Sequence, residues 1–158
     1  MTIKQGDRIP AITLKTNGEN GPEDINTSDI FTGKKVVMFA VPGAFTPGCS
    51  MTHMPGFVVN ADAILGKGVD RIVCMAVNDA FVMDAWQKDQ NAQQITMLAD
   101  GNAELTRALG LELDASGFGM GARSKRFALI ANDGVVEYLG VDDKGIEKSS
   151  AEAILEQL

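Results

Sequence analysis

The segment Val41-Pro42-Gly43-Ala44-Phe45-Thr46-Pro47-Gly48-Cys49-Ser50 carries one cysteine where an apolar, strand-like run gives way to helical periodicity. The free N–H groups and dipole at such a terminus favour negative charge. A thiol there ionises more readily, and the thiolate is the nucleophile. Thr46, three residues upstream, offers a hydroxyl that both donates and accepts hydrogen bonds. Pro42 and Pro47 stiffen the loop and shield the sulfur from bulk water. Such a set suits attack of sulfur on an O–O bond. That reaction needs a thiolate, an in-line approach, donors for charge building on oxygen, and a proton for the departing oxygen. A guanidinium, which keeps its charge and presents a rigid fork, would hold the thiolate.

The elements that must place this loop follow from periodicity. Val36–Val41 reads as a buried strand, and Ala11–Leu14 as a short strand before it, with a surface turn at 18–22. After Cys49 a helix should bury Phe57, Ala61, Ile64 and Leu65, kinked or divided near Pro55-Gly56 and stopped by Gly66 and Gly68. Arg71–Val77 is a second buried strand, followed by a helix capped by Asn78 or Asp79 that should bury Phe81, Val82, Ala85 and Trp86. Ile95–Leu98 is a third strand, and Ala103–Leu109 a helix closed by Gly110. Phe127–Ala131, the Asn132-Asp133-Gly134 turn and Val135–Leu139 form an antiparallel hairpin. Ser149 and Glu152 read as a capping box for a last helix with Ile154, Leu155 and Leu158 inward. This order predicts one α/β domain over residues 1–158, a three-layer sandwich on a mixed sheet. It suits a thioredoxin-like core with N-terminal additions, and periodicity alone leaves a flavodoxin-like sheet open.

Composition narrows the partners. Net charge is −7, whereas nucleic acids and anionic membrane surfaces call for a basic face. No apolar stretch is long enough to span a bilayer. The N-terminal residues lack the apolar region of a secretory signal, so a cytoplasmic location is expected. Two cysteines and one histidine provide neither a disulfide framework nor a thiolate/imidazole zinc site, and no cofactor or metal is expected.

The run from Pro42 to Cys49, with Thr52-His53, Pro55-Gly56-Phe57, Val77–Val82, Leu98–Gly101 and Ser124–Phe127, resembles the peroxiredoxins of the type II, peroxiredoxin-5-like subgroup over essentially the whole chain. The resemblance implies a thioredoxin-like peroxidase of hydrogen peroxide and organic hydroperoxides. Cys49 would be the peroxidatic cysteine, Thr46 its hydroxyl partner, Pro42 the shielding proline and Arg126 the guanidinium partner. Arg123 competes for that last role; Arg126 is preferred because it directly precedes Phe127-Ala128-Leu129-Ile130. His53, one turn after Cys49, is a candidate to orient the arginine. Attack would leave a sulfenic acid on Cys49.

Some relatives resolve this species with a second cysteine near the C-terminus, where this chain has Ser149-Ser150. Cys74 remains, but lies mid-strand between apolar neighbours and reads first as a structural residue. It is therefore a disfavoured resolver. An external thiol is expected instead: glutathione with glutaredoxin, or thioredoxin. The resemblance also implies a homodimer meeting near the active-site loops. Two rivals stand beside this reading. A thiol–disulfide oxidoreductase is weakened because Thr46 occupies the position a Cys-x-x-Cys pair would need. A redox-sensing interaction protein would use Cys49 without appreciable turnover. Gly117–Gly121 leads into a strand instead of opening a helix, which argues against a dinucleotide loop.

Overall fold

The computed structural model describes residues 2–158. Seven strands form one mixed sheet: β1 (Thr13–Gly18), β2 (Gly21–Asn26), β3 (Lys35–Val41), β4 (Arg71–Ala76), β5 (Ile95–Ala99), β8 (Arg126–Asn132) and β9 (Val135–Asp142), in the order β2-β1-β5-β4-β3-β8-β9. β6 (Glu112–Asp114) and β7 (Ala122–Ser124) pair separately. β3, β4 and β5 run parallel, and β8 returns antiparallel to β3. The helices are α1 (Thr27–Phe31), α2 (Met54–Val59), α3 (Ala61–Leu65), α4 (Ala80–Asp89), α5 (Glu104–Ala108) and α6 (Ala151–Gln157).

Strand alternation sorts the core into two layers. On β3, Val37, Phe39 and Val41 face one side, with Phe57, Ile64, Met83, Trp86 and Ile154 from α2, α3, α4 and α6. Val36, Met38 and Ala40 face the other, against Ile30 and Phe31 of α1 and Leu105 and Leu109 at α5. Consecutive parallel crossovers are right-handed. The connections β3→β4 and β4→β5 therefore put α2, α3 and α4 on the same face, beside Cys49. Burying a side chain such as Phe57 contributes about 2–3 kcal/mol. The result is the thioredoxin-like three-layer architecture that the sequence predicts.

Local differences have identifiable causes. The early strand begins later than Ala11, and the turn at 18–22 closes a hairpin whose second strand, β2, is not evident from the polar Gly21–Asn26 stretch. The helix after β4 is capped by Asp79, whose side chain accepts from Val82 N at 2.8 Å, but it buries Ala80, Met83 and Trp86. Phe81 is 70% exposed, Ala85 is exposed and Val82 is half-buried. Helical spacing allowed either stripe; the Trp86 indole, donating to Ser50 Oγ at 2.9 Å, marks the stripe that faces the core. Ser150 caps α6 instead of Ser149, because Ser149 spends its hydroxyl and N–H on Asp142.

Candidate active site

The site lies at the C-terminal ends of the parallel strands, where open α/β sheets gather their chemistry. β3 ends at Val41, and the loop 42–48 carries the chain to Cys49. Two hydrogen bonds shape this loop: Ala44 N donates to Asn78 Oδ1 at 2.9 Å, and Thr46 Oγ1 donates to Gly43 O at 2.7 Å. Phe45 takes the left-handed region at φ 66°, a conformation non-glycine residues adopt only under local constraint. Asn78, which the sequence offers as a helix cap, clamps this loop instead, while Asp79 caps the helix. The signal for the clamp was position, two residues past the end of β4 and beside the loop it holds.

Cys49 opens a π-helical turn, Cys49–His53, in which Met54 N donates to Cys49 O. The divided helix expected near Pro55 takes this form. Proline has no N–H, and its ring clashes with the carbonyl four residues back; the widened turn precedes it. The sulfur is fully buried.

Arg126 reaches that sulfur from β8. In register, Phe127 lies opposite Ala40, so Arg126, as the first residue of an antiparallel strand, sits at the C-terminal end of β3. Alternation sends it to the same face as Ala128 and Ile130, the face that holds Cys49. Its Nη2 donates to Cys49 Sγ at 3.3 Å, and its Nη1 meets His53 Nδ1 at 2.8 Å. Arg123 is engaged elsewhere: Nε donates to Met120 O at 3.0 Å and Nη1 to Val77 O at 3.3 Å, pinning the 115–121 loop to the end of β4.

His53 is buried, its ring flanked by Phe39 and Phe57 with centroids at 5.1 and 5.6 Å. Its Nε2 is 2.8 Å from Ser149 O. A carbonyl only accepts, so Nε2 carries the hydrogen and Nδ1 offers its lone pair to Arg126. Burial, with help from the Arg126 charge, lowers the His53 pKa to about 4, against the raising effects of the Ser149 bond and Asp142. The ring is neutral at pH 7, as this arrangement requires.

Pro42 is half-buried and borders a cleft of about 220 Å³ with Leu113, Lys125, Arg126, Asp142, Asp143 and Gly145. A larger cleft, about 330 Å³, lies at the sheet edge between Lys15, Asp24, Phe81 and Glu104, and no cysteine lines it. Cys74 sits mid-β4, paired with Phe39 and Met97 and fully buried. Burial first, and the neighbouring Cys49 second, push its thiol well up. Both cysteines are free. Among the described residues, no group of three His, Cys, Asp or Glu side chains is arranged to hold a metal ion.

A thioredoxin-like fold that buries one cysteine under a guanidinium at the strand ends defines a thiol-based redox protein. Residues 4–155 match the redoxin family. The chain is 46% identical to Peroxiredoxin-2E-2, chloroplastic, of Oryza sativa subsp. japonica, over 99% of this chain and 73% of that one. Reduced Prx3 of Vibrio vulnificus in complex with hydrogen peroxide superposes with a TM-score of 0.95 at 52% identity, covering 98% of both chains. Peroxiredoxin 5 of Alvinella pompejana gives a TM-score of 0.87 at 35% identity, covering 98% and 97%. The chain belongs to the redoxin family and, within it, to the type II, peroxiredoxin-5-like peroxiredoxins, the thiol peroxidases.

One expectation falls. The rice relative is chloroplastic, as is its 45% identical counterpart in Arabidopsis thaliana, so the cytoplasmic location is not supported. Among the described residues no helix is long and apolar enough to cross a membrane.

Proposed function

We propose that the chain reduces hydrogen peroxide and alkyl hydroperoxides through a sulfenic acid on Cys49, and that an external thiol regenerates it. The observation that carries this reading is the Arg126 guanidinium, bonded to the Cys49 sulfur through one nitrogen and to His53 through the other. The Cys49 thiolate attacks one peroxide oxygen and the O–O bond breaks. The electron pair leaves on the distal oxygen, which takes a proton and departs as water or alcohol; sulfur keeps the other oxygen as –SOH. Arg126 holds the thiolate and stabilises charge building on the oxygens. Thr46, already donating to Gly43 O, has its lone pairs left to accept the peroxide O–H and aim it. Pro42 shields the sulfur.

In the second half of the cycle a thiol condenses with –SOH, releasing water and forming a mixed disulfide. A second thiol equivalent then restores Cys49. We assign both to glutathione with glutaredoxin, or to thioredoxin. Cys74 is held in a central strand with its thiol pushed up, and Ser149-Ser150 stand where some relatives carry a second cysteine. The antioxidant role follows from the same turnover. A homodimer meeting at the active-site loops would cover Phe45 and Phe81, 50% and 70% exposed beside the Ala44–Asn78 clamp. Aromatic residues at such positions favour an interface.

The test is a steady-state peroxidase assay run separately with glutathione/glutaredoxin and with thioredoxin, beside a Cys49→Ser variant. The reading expects turnover with at least one reductant and none in the variant. Peroxide consumption by Cys49→Ser would overturn the mechanism.

A further inference from the structure

The hydrogen bonds that fix the arginine do not end at His53. The Ser149 carbonyl that orders the imidazole belongs to the segment between β9 and α6, and that segment is organised by one buried carboxylate. Asp142, the last residue of β9, accepts from Glu147 N at 3.0 Å, Lys148 N at 3.2 Å, Ser149 N at 2.9 Å and Ser149 Oγ at 2.7 Å. Burial works to raise its pKa, but these bonds outweigh it and hold the carboxyl below its ordinary value, so it stays ionised.

Asp142 is also the cross-strand partner of Arg126 in the β8–β9 register. Directly opposed residues place their side chains on one face, a few ångströms apart. A carboxylate there would be expected to pair with the guanidinium and draw it from the sulfur. Among the described residues no such ion pair forms. Four donors from 147–149 engage the carboxylate, and the guanidinium is left to His53 and Cys49.

The segment is placed by polar contacts. Tyr138 OH donates to Lys148 O at 2.7 Å. Gly140 lies so near Lys148 O that a Cβ there would collide with it, which explains a glycine inside β9. Between this segment and the active-site helix remains a cavity of about 80 Å³, bordered by His53, Gly56 and Ile146.

We infer that Asp142 is a positioning residue for peroxide reduction, resting on the reaction proposed above. It acts through the backbone of 147–149 to place the Ser149 carbonyl, which fixes the His53 tautomer, which in turn aims Arg126 at the Cys49 sulfur. Four residues from the last strand, the following loop, the active-site helix and β8 thus form one line ending on the nucleophile.

The experiment is a stopped-flow measurement of the peroxide step alone, followed by Trp86 fluorescence and calibrated by mass spectrometry of Cys49 oxidation. It compares the wild type, Asp142→Asn, Ser149→Ala, His53→Phe, the double variant Asp142→Asn/His53→Phe, and Arg126→Ala, with folding checked by circular dichroism. Asp142→Asn should slow the peroxide step by about tenfold, since small misplacement of an aiming group is costly. Ser149→Ala, which keeps the backbone donors, should slow it severalfold less. In the His53→Phe background Asp142→Asn should have no further effect, whereas mere structural damage would add to the loss. An unchanged rate in folded Asp142→Asn, or full additivity in the double variant, would overturn the inference. Should Asp142→Asn not fold, the same comparison is made with Ser149→Ala alone and combined with His53→Phe. Arg126→Ala separates the two readings: its rate must fall if the proposed reaction is right, whatever Asp142 does.

Discussion

A Cβ placed on Gly48 would stand 3.2 Å from Arg126 Nη2, the nitrogen that donates to the Cys49 sulfur. The residue before the cysteine is therefore glycine for clearance, not for conformational freedom: its φ and ψ, −62° and −37°, suit any residue. With a side chain there, the guanidinium would have to give by a few tenths of an ångström.

That relationship separates activity from stability. Gly48→Ala should leave thermal stability unchanged or raise it by up to about 1 kcal/mol, because alanine loses less backbone freedom on folding. It should also slow the peroxide step by about an order of magnitude by displacing Nη2. Stopped-flow oxidation and thermal melts check both halves. An unaltered rate would show that the guanidinium adjusts without cost.

Cys74 is expected to matter to folding and not to turnover. Cys74→Ser sets a hydroxyl in the apolar middle of β4 and should cost about 1–3 kcal/mol of stability. Steady-state turnover with an external thiol should remain nearly intact. Denaturant unfolding and the peroxidase assay give the two numbers. Lost turnover in a folded variant would instead make Cys74 the resolver.

Acid should weaken the protein through His53. The unfolded imidazole binds its proton near pH 6.5, the folded one only near about 4. Above pH 6.5 both states are neutral and the native arrangement keeps its full stability. As pH falls from 6.5 towards 4, only the unfolded state gains the proton, and stability drops by about 3 kcal/mol in total. Below that window the folded imidazole is protonated as well, Nδ1 ceases to accept, and the Arg126 bond is lost. Unfolding free energies of the wild type and His53→Phe across pH 4–7 check this: the variant should have a shallower slope.

How much of this was legible beforehand depended on how local each signal was. Cys49, Thr46 and the proline-flanked loop lie within eight residues, and a strand-to-helix transition needs no distant partner to be read. The mixed sheet followed from alternating apolar periods, and the Asn132-Asp133-Gly134 hairpin from its turn residues. β2 escaped because it is polar and exposed at the sheet edge, and the buried stripe of α4 was misread because two stripes fit one helical period.

Choosing between Arg126 and Arg123 was a matter of register. The sequence offered both, three residues apart, and favoured Arg126 for its place directly before Phe127-Ala128-Leu129-Ile130. Only the pairing of β8 with β3 shows that alternation sends Arg126 to the face of Cys49, while Arg123 in β7 turns to Val77 O. Ser149 read only as a helix cap and Asp142 carried no signal, because the backbone N–H groups of 147–149 that meet the Asp142 carboxylate, and the Ser149 carbonyl that meets His53, are brought together by the fold and not by any local pattern. The amino-acid order by itself determined the candidate nucleophile, the loop that presents it and the layered fold around it, since those rest on side-chain type and short-range spacing. The guanidinium that meets the sulfur, the tautomer of the imidazole behind it and the clearance beside Gly48 were decided only when strands far apart in the chain came into register.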